Sequence, residues 1–167
     1  MTKGPGVRVA ILLFMVLLAV GPVVLSTRAG DVSLDGAHWA RTKKPFSLRV
    51  GDNMSSQWDR HLNAAAKSWQ ESRVVKMNVR PGSTSPGRCE PRKGTVQACS
   101  ANSGADGWLG VATIWVNRQD HIVEATVQLN EHYFRSGRYD NRKAMRHTVC
   151  HELGHTLGLE HNRGNHA

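Results

Sequence analysis

His151-Glu152-Leu153-Gly154-His155 is followed by Gly158 and His161, and this spacing restricts the chain more than any other stretch of it. Residues four apart on an α-helix project from one face a turn apart, so His151 and His155 can aim imidazole nitrogens at a common point. Gly158 tolerates positive φ at a helix end and lets the chain reverse, which swings His161 back beneath that point. Three imidazoles and one open position are the donor set of a catalytic zinc. Glu152, next to the first ligand, is placed to take a proton from water there without ligating, and is the expected general base.

The surrounding pattern supports a helix. Asp140 or Asn141 can cap it, and Met145, Val149, Leu153 and Leu157 recur every four residues to about 157. Of the nine histidines, His147 lies one turn before His151 and is expected beside the cluster or on the surface. His38, His61, His121, His132 and His166 have no partner at a ligand spacing and are read as structural or solvent-facing.

Upstream, 45–50 alternates apolar with polar and predicts a first strand. Gly51-Asp52-Asn53 turns, and Ser56 with Asp59 has the form of a capping box. Trp58, Leu62, Ala65, Ala66 and Trp69 then make one face of a helix from 57 to about 71. A β-branched strand over 74–79 stops at Pro81-Gly82. Residues 83–107 form a long loop with a short strand near 95–98, and 108–116 is a buried strand. It pairs as a hairpin with 122–130, whose Val123, Ala125, Val127 and Leu129 share the inner face. The whole reads as one α+β domain: a twisted mixed β-sheet with two helices packed against it.

The first 29 residues resemble a secretory leader: Lys3 and Arg8, an apolar run over 9–25, and small residues Thr27 and Ala29 before a cleavage expected ahead of Gly30. The run is nearly long enough to span a bilayer, so an uncleaved membrane anchor stays open as an alternative. The domain proper is then 30–167, exported, and secreted if the leader is cut. The formal charge of +9 falls to +6 when Lys3, Arg8 and Arg28 leave with no acidic residue. The remaining cations are scattered rather than striped, which argues against a nucleic-acid partner and for a solvated basic surface. Export permits disulfides, and Cys89 and Cys99 in the long loop are the expected pair, leaving Cys150 over.

The string His151 to His161 resembles the signature of the metzincin zinc metallopeptidases, and the strand pair ahead of it resembles their matrixin-like branch. The resemblance implies a zincin-like N-terminal subdomain and a monomeric, secreted zinc endopeptidase acting on protein or peptide substrates. It makes Glu152 the base and His151, His155 and His161 the zinc ligands. It also implies a substrate-binding sheet edge along 109–113, with Gly110, Val111 and Ala112 as contacts. One departure stands out. These enzymes carry a methionine turn beyond the third histidine, whereas Met1, Met15, Met54, Met77 and Met145 all precede it. The expectation is a chain whose C-terminal subdomain is largely missing, with Cys150 the former partner of a cysteine there. Two alternatives follow: an inert zinc-binding remnant, or a membrane-anchored basic module that binds the cell envelope. Arg88-Cys89-Glu90-Pro91 lacks the pattern of an inhibitory thiol segment, and no calcium loop is recognisable.

Overall fold

The computed structural model describes residues 7–11 as backbone and 36–40, 44–135 and 137–161 in full. The expected leader, apart from 7–11, its cleavage position and His166 lie outside these residues.

Strand β1 (Val7–Ile11) and β2 (His38–Trp39) precede β3 (Phe46–Asn53), and α1 (Ser56–Gln70) carries the chain to β4 (Val75–Pro81). The order continues with β5 (Thr95–Ala101), β6 (Gly110–Val116), β7 (His121–Asn130) and α2 (Arg142–His155). Among the described residues these strands form one sheet in the order β1-β6-β7-β5-β3-β4, with β2 added to β7. The result is α+β, as expected. β3 pairs in parallel with β4 and β5, and β5 with β7, while β6 returns antiparallel to β7 as the anticipated hairpin. No helix among the described residues is long and apolar enough to cross a membrane.

Helix α1 buries the face its sequence dictates. Trp58, Leu62, Ala65 and Ala66 are sealed off, and Trp58 meets Phe134 edge to face at 4.8 Å. Burying a side chain such as Leu62 contributes roughly 1.5–3 kcal/mol. The expected capping box does not form. Ser55 is the N-cap and makes no side-chain cap bond; its hydroxyl donates instead to Glu131 Oε1 at 2.6 Å. The Ser100 hydroxyl donates to the same oxygen at 2.7 Å. A buried carboxylate is a stronger acceptor than any neutral group, so it draws the serine away from the helix end. Burial raises the Glu131 pKa, but bonds from Ser55, Ser100, Arg135 and Gln57 outweigh it and hold the group below its ordinary value.

Strand β5 runs past the predicted 95–98 because it is central and pairs on both edges. In β7 the strict alternation breaks. Trp115 pairs with Glu124 and Val116 with Ile122, so Val123 is the extra residue of a β-bulge. Ile122 is therefore buried and Val123 only half-buried, the reverse of the simple alternation.

The helices cover one sheet face; the loop after β4 covers the other. Cys89 and Cys99 are joined, with Cα atoms 5.8 Å apart. The same loop is tied to the buried Asn53, whose amide donates to Gln97 Oε1 at 3.0 Å and whose Oδ1 accepts the Thr84 N–H at 3.0 Å. Gly82 has no alternative, since a Cβ there would collide with the Asn53 side chain.

Candidate metal centre

Helix α2 is capped by Asn141, whose side chain accepts from the Ala144 N–H. Met145, Val149 and Leu153 are buried toward the sheet, as the four-residue repeat requires, and Leu157 is half-buried beyond the helix. The helix stops at His155 rather than near 157. Gly158 N–H then bonds to His155 O at 3.0 Å and Leu159 N–H to Gly154 O at 3.4 Å. This is the bond pair of a Schellman turn, with Gly158 at φ 88° in the left-handed position that favours glycine.

That reversal brings His161 to the other two histidines. The Nε2 atoms of His151 and His161 are 2.9 Å apart, those of His155 and His151 3.1 Å, and those of His155 and His161 3.0 Å. Tetrahedral ligands at 2.0–2.1 Å from one zinc stand about 3.3 Å from each other. The triangle is thus within a few tenths of an ångström of that spacing. His155 Nδ1 lies 2.6 Å from the Leu159 carbonyl; its N–H donates there, which leaves the Nε2 lone pair facing the cluster. Burial, then the neighbouring histidines, push His151 down to about 4. Burial likewise lowers His155. Neutral imidazole, the ligating form, is the state that this setting favours. His147 is exposed and stacks on His151 with ring centroids 6.0 Å apart, outside the triangle.

Glu152 is 1% exposed and sits behind β6. Burial pushes its pKa up to about 7, opposed by a hydrogen bond from the Ala112 backbone N–H. Its Oε2 is buried without a hydrogen-bond partner. A buried polar atom left unpaired costs about 1–3 kcal/mol, and Glu152 carries this one at the position next to His151 in the chain. The three histidines therefore fit a divalent metal of zinc's preferences.

The expected sheet-edge contacts divide. Gly110 and Ala112 face α2, and both are used by Glu152: a Cβ at 110 would stand 2.7 Å from Glu152 Cγ. Val111 alternates to the opposite face. β6 is not the outermost strand, however. Val7–Ile11 pairs antiparallel along it, from Val7 opposite Val116 to Ile11 opposite Ala112, and among the described residues this pairing does not reach Gly110 or Val111. An unpaired strand edge accepts any extended backbone, and this β-branched segment supplies one.

Cys150, one residue before the first ligand, is a free thiol. Burial raises its pKa, which makes it a packing residue rather than a nucleophile. Its backbone oxygen accepts from Trp69 Nε1 at 2.9 Å, joining the two helices. His61 is buried against Trp58, and His38 meets His121 edge to face at 5.0 Å; both serve structure. Three participants escaped sequence reading: the Leu159 carbonyl, the Ala112 N–H, and Trp39, whose indole N–H donates to Thr156 O at 2.7 Å. No periodic signal marks a backbone group, and Trp39 lies in a stretch without period.

Comparison with known protein families, with curated proteins and with solved structures finds no match for this chain.

Proposed function

We propose that the chain is a zinc-dependent peptidase of the metzincin kind, with a zincin-like fold, that acts on extended protein segments outside the cell. The observation that carries this reading is the convergence of three imidazole nitrogens within 3.1 Å of one another; Glu152, next to the first of them in the chain, adds a buried carboxylate oxygen that has no partner. His151, His155 and His161 would hold the ion. When bound, zinc supplies Lewis-acid polarisation of a carbonyl and acidifies water. Glu152 performs the proton work. Raised toward 7, its carboxyl both accepts and returns a proton near neutral pH, where a general base and then acid is most effective. The Ala112 N–H fixes one oxygen and leaves the other for that traffic. Gly110 and Val111, outside the β1 pairing among the described residues, would be where an extended peptide adds to the sheet.

The test is cleavage of an unfolded protein by the purified chain, with and without chelator. One bound zinc, chelator-sensitive cleavage, and loss of cleavage in Glu152→Ala with zinc retained are expected. Cleavage that survives chelation or Glu152→Ala overturns the reading. Stoichiometric zinc without any cleavage reduces the chain to a metal-binding module.

A further inference from the structure

His151 and His155 are placed by α2 itself, but His161 lies beyond the helix, so its position depends on whatever holds residues 156–160. Two of the contacts on that turn come from one place. The Trp39 indole N–H donates to the Thr156 carbonyl at 2.7 Å in the buried interior. The Ala37 carbonyl oxygen lies so close to Gly158 that a Cβ there would collide with it. Both residues belong to 36–40, a strap 117 residues upstream of the turn it touches.

The strap is itself fixed. His38 and Trp39 pair in parallel with His121 and Ile122 of β7, His38 N–H donates to Asp120 O at 3.0 Å, and Trp39 is 8% exposed within the core. Ile122 also stands 3.7 Å from where a Gly158 Cβ would lie. The strap is thus a short strand of the sheet, and both it and Ile122 of β7 abut the turn, so the strap ties the turn to the sheet. The Thr156 carbonyl is one of the acceptors a helix end leaves without an intrahelical partner; Trp39 satisfies it.

We propose that residues 36–40 are a positioning element for the metal: on the reading of the histidine cluster as a zinc centre, Trp39 and Ala37 set the Gly158 turn and through it the place of His161. Groups that orient a ligand without touching the ion typically change metal affinity 10- to 100-fold when removed. The strap also couples metal binding to N-terminal processing. A cut ahead of Gly30 leaves it whole, whereas a cut past Trp39 removes it.

The test is zinc affinity, read by competition with a chromophoric chelator, and it needs no peptide cleavage. Trp39→Phe keeps the aromatic bulk and deletes the N–H; it is expected to weaken zinc binding about 10-fold or more. In a His161→Ala background, the same change is expected to have no further effect, because the ligand it positions is gone. Gly158→Ala, which pushes on the strap from the opposite side, should show the same dependence on His161 if Trp39→Phe folds poorly. Equal losses in both backgrounds mean a general structural role and overturn the proposal, as does unchanged affinity in Trp39→Phe. A wild-type chain that binds zinc and cleaves nothing counts against the peptidase reading alone; one that binds no zinc overturns both.

Discussion

Gly110 and Glu152 share one space: a methyl group on Gly110 would lie 2.7 Å from Glu152 Cγ and 3.0 Å from its carboxyl carbon. Glycine at 110 is thus a condition for the carboxylate's position, and its smallness makes room for Glu152. Gly110→Ala should cost about 1–3 kcal/mol through overpacking and lower kcat about tenfold or more, with zinc content unchanged. A rise in KM with kcat intact would instead make Gly110 a substrate contact. Steady-state kinetics alongside metal analysis separates the two.

Glu152→Gln keeps shape and removes the proton acceptor. Turnover is expected to fall about 10²- to 10⁴-fold, the usual worth of a general acid–base group, while zinc stoichiometry stays at one. His151→Ala, His155→Ala and His161→Ala should each lower zinc affinity by more than the roughly 10- to 100-fold typical of outer groups. Equilibrium dialysis of the four variants distinguishes ligand from base.

Glu131 links pH to stability. Its folded pKa lies below the ordinary 4.5, so its contribution is complete above that value and is lost as the pH falls through the folded pKa. The gap in urea midpoint between wild type and Glu131→Gln should be full at pH 7 and shrink progressively below 4.5. A gap that widened on acidification would contradict the Ser55–Glu131–Ser100 arrangement.

The helices were legible because Trp58, Leu62, Ala65 and Ala66 recur at helical spacing, and burial follows that spacing whatever the helix packs against. The histidine cluster was legible for a similar reason, since His151, His155, Gly158 and His161 are local and a helix with a reversal converts their spacing directly into distance. The Cys89–Cys99 link was accessible as a pair within one loop. Beyond the β6–β7 hairpin, strand partners were not: Val96 opposite Ala125, or Phe46 opposite Val75, leave no trace in local pattern. The Val123 bulge broke a clean alternation at the start of β7 only: Ile122 is buried in place of Val123, while Ala125, Val127 and Leu129 beyond the extra residue are buried as the pattern requires. Val7–Ile11 read only as the start of an apolar leader, yet the same β-branched residues suit a strand edge.

The disulfide should matter for stability and not for the metal. Closing a loop of ten residues is worth about 3 kcal/mol in the chain-entropy account. A Cys89→Ser, Cys99→Ser double variant should melt several degrees lower and, below its transition, bind zinc as tightly as wild type. Calorimetry with a parallel zinc titration checks both.

Removing residues 1–29 takes away β1 and bares the outer edge of β6. The shortened chain should bind and cleave extended peptides with a KM several-fold lower than the full chain. An unchanged KM would mean that peptides do not use the stretch from Ala112 to Val116.

The parallel ladder at the centre of the sheet also dictates an order of assembly. β5 needs both β3 and β7, which lie on either side of it in the chain, so no hairpin can nucleate the middle of the sheet and its formation waits on distant segments meeting. Helix α2 and the turn after it come after all of these strands and lean on β6, β7 and the strap. A chain still emerging from the ribosome or a translocation channel has the histidines but no surface to hold them in a triangle. The three histidines therefore converge only in a chain whose sheet has already formed.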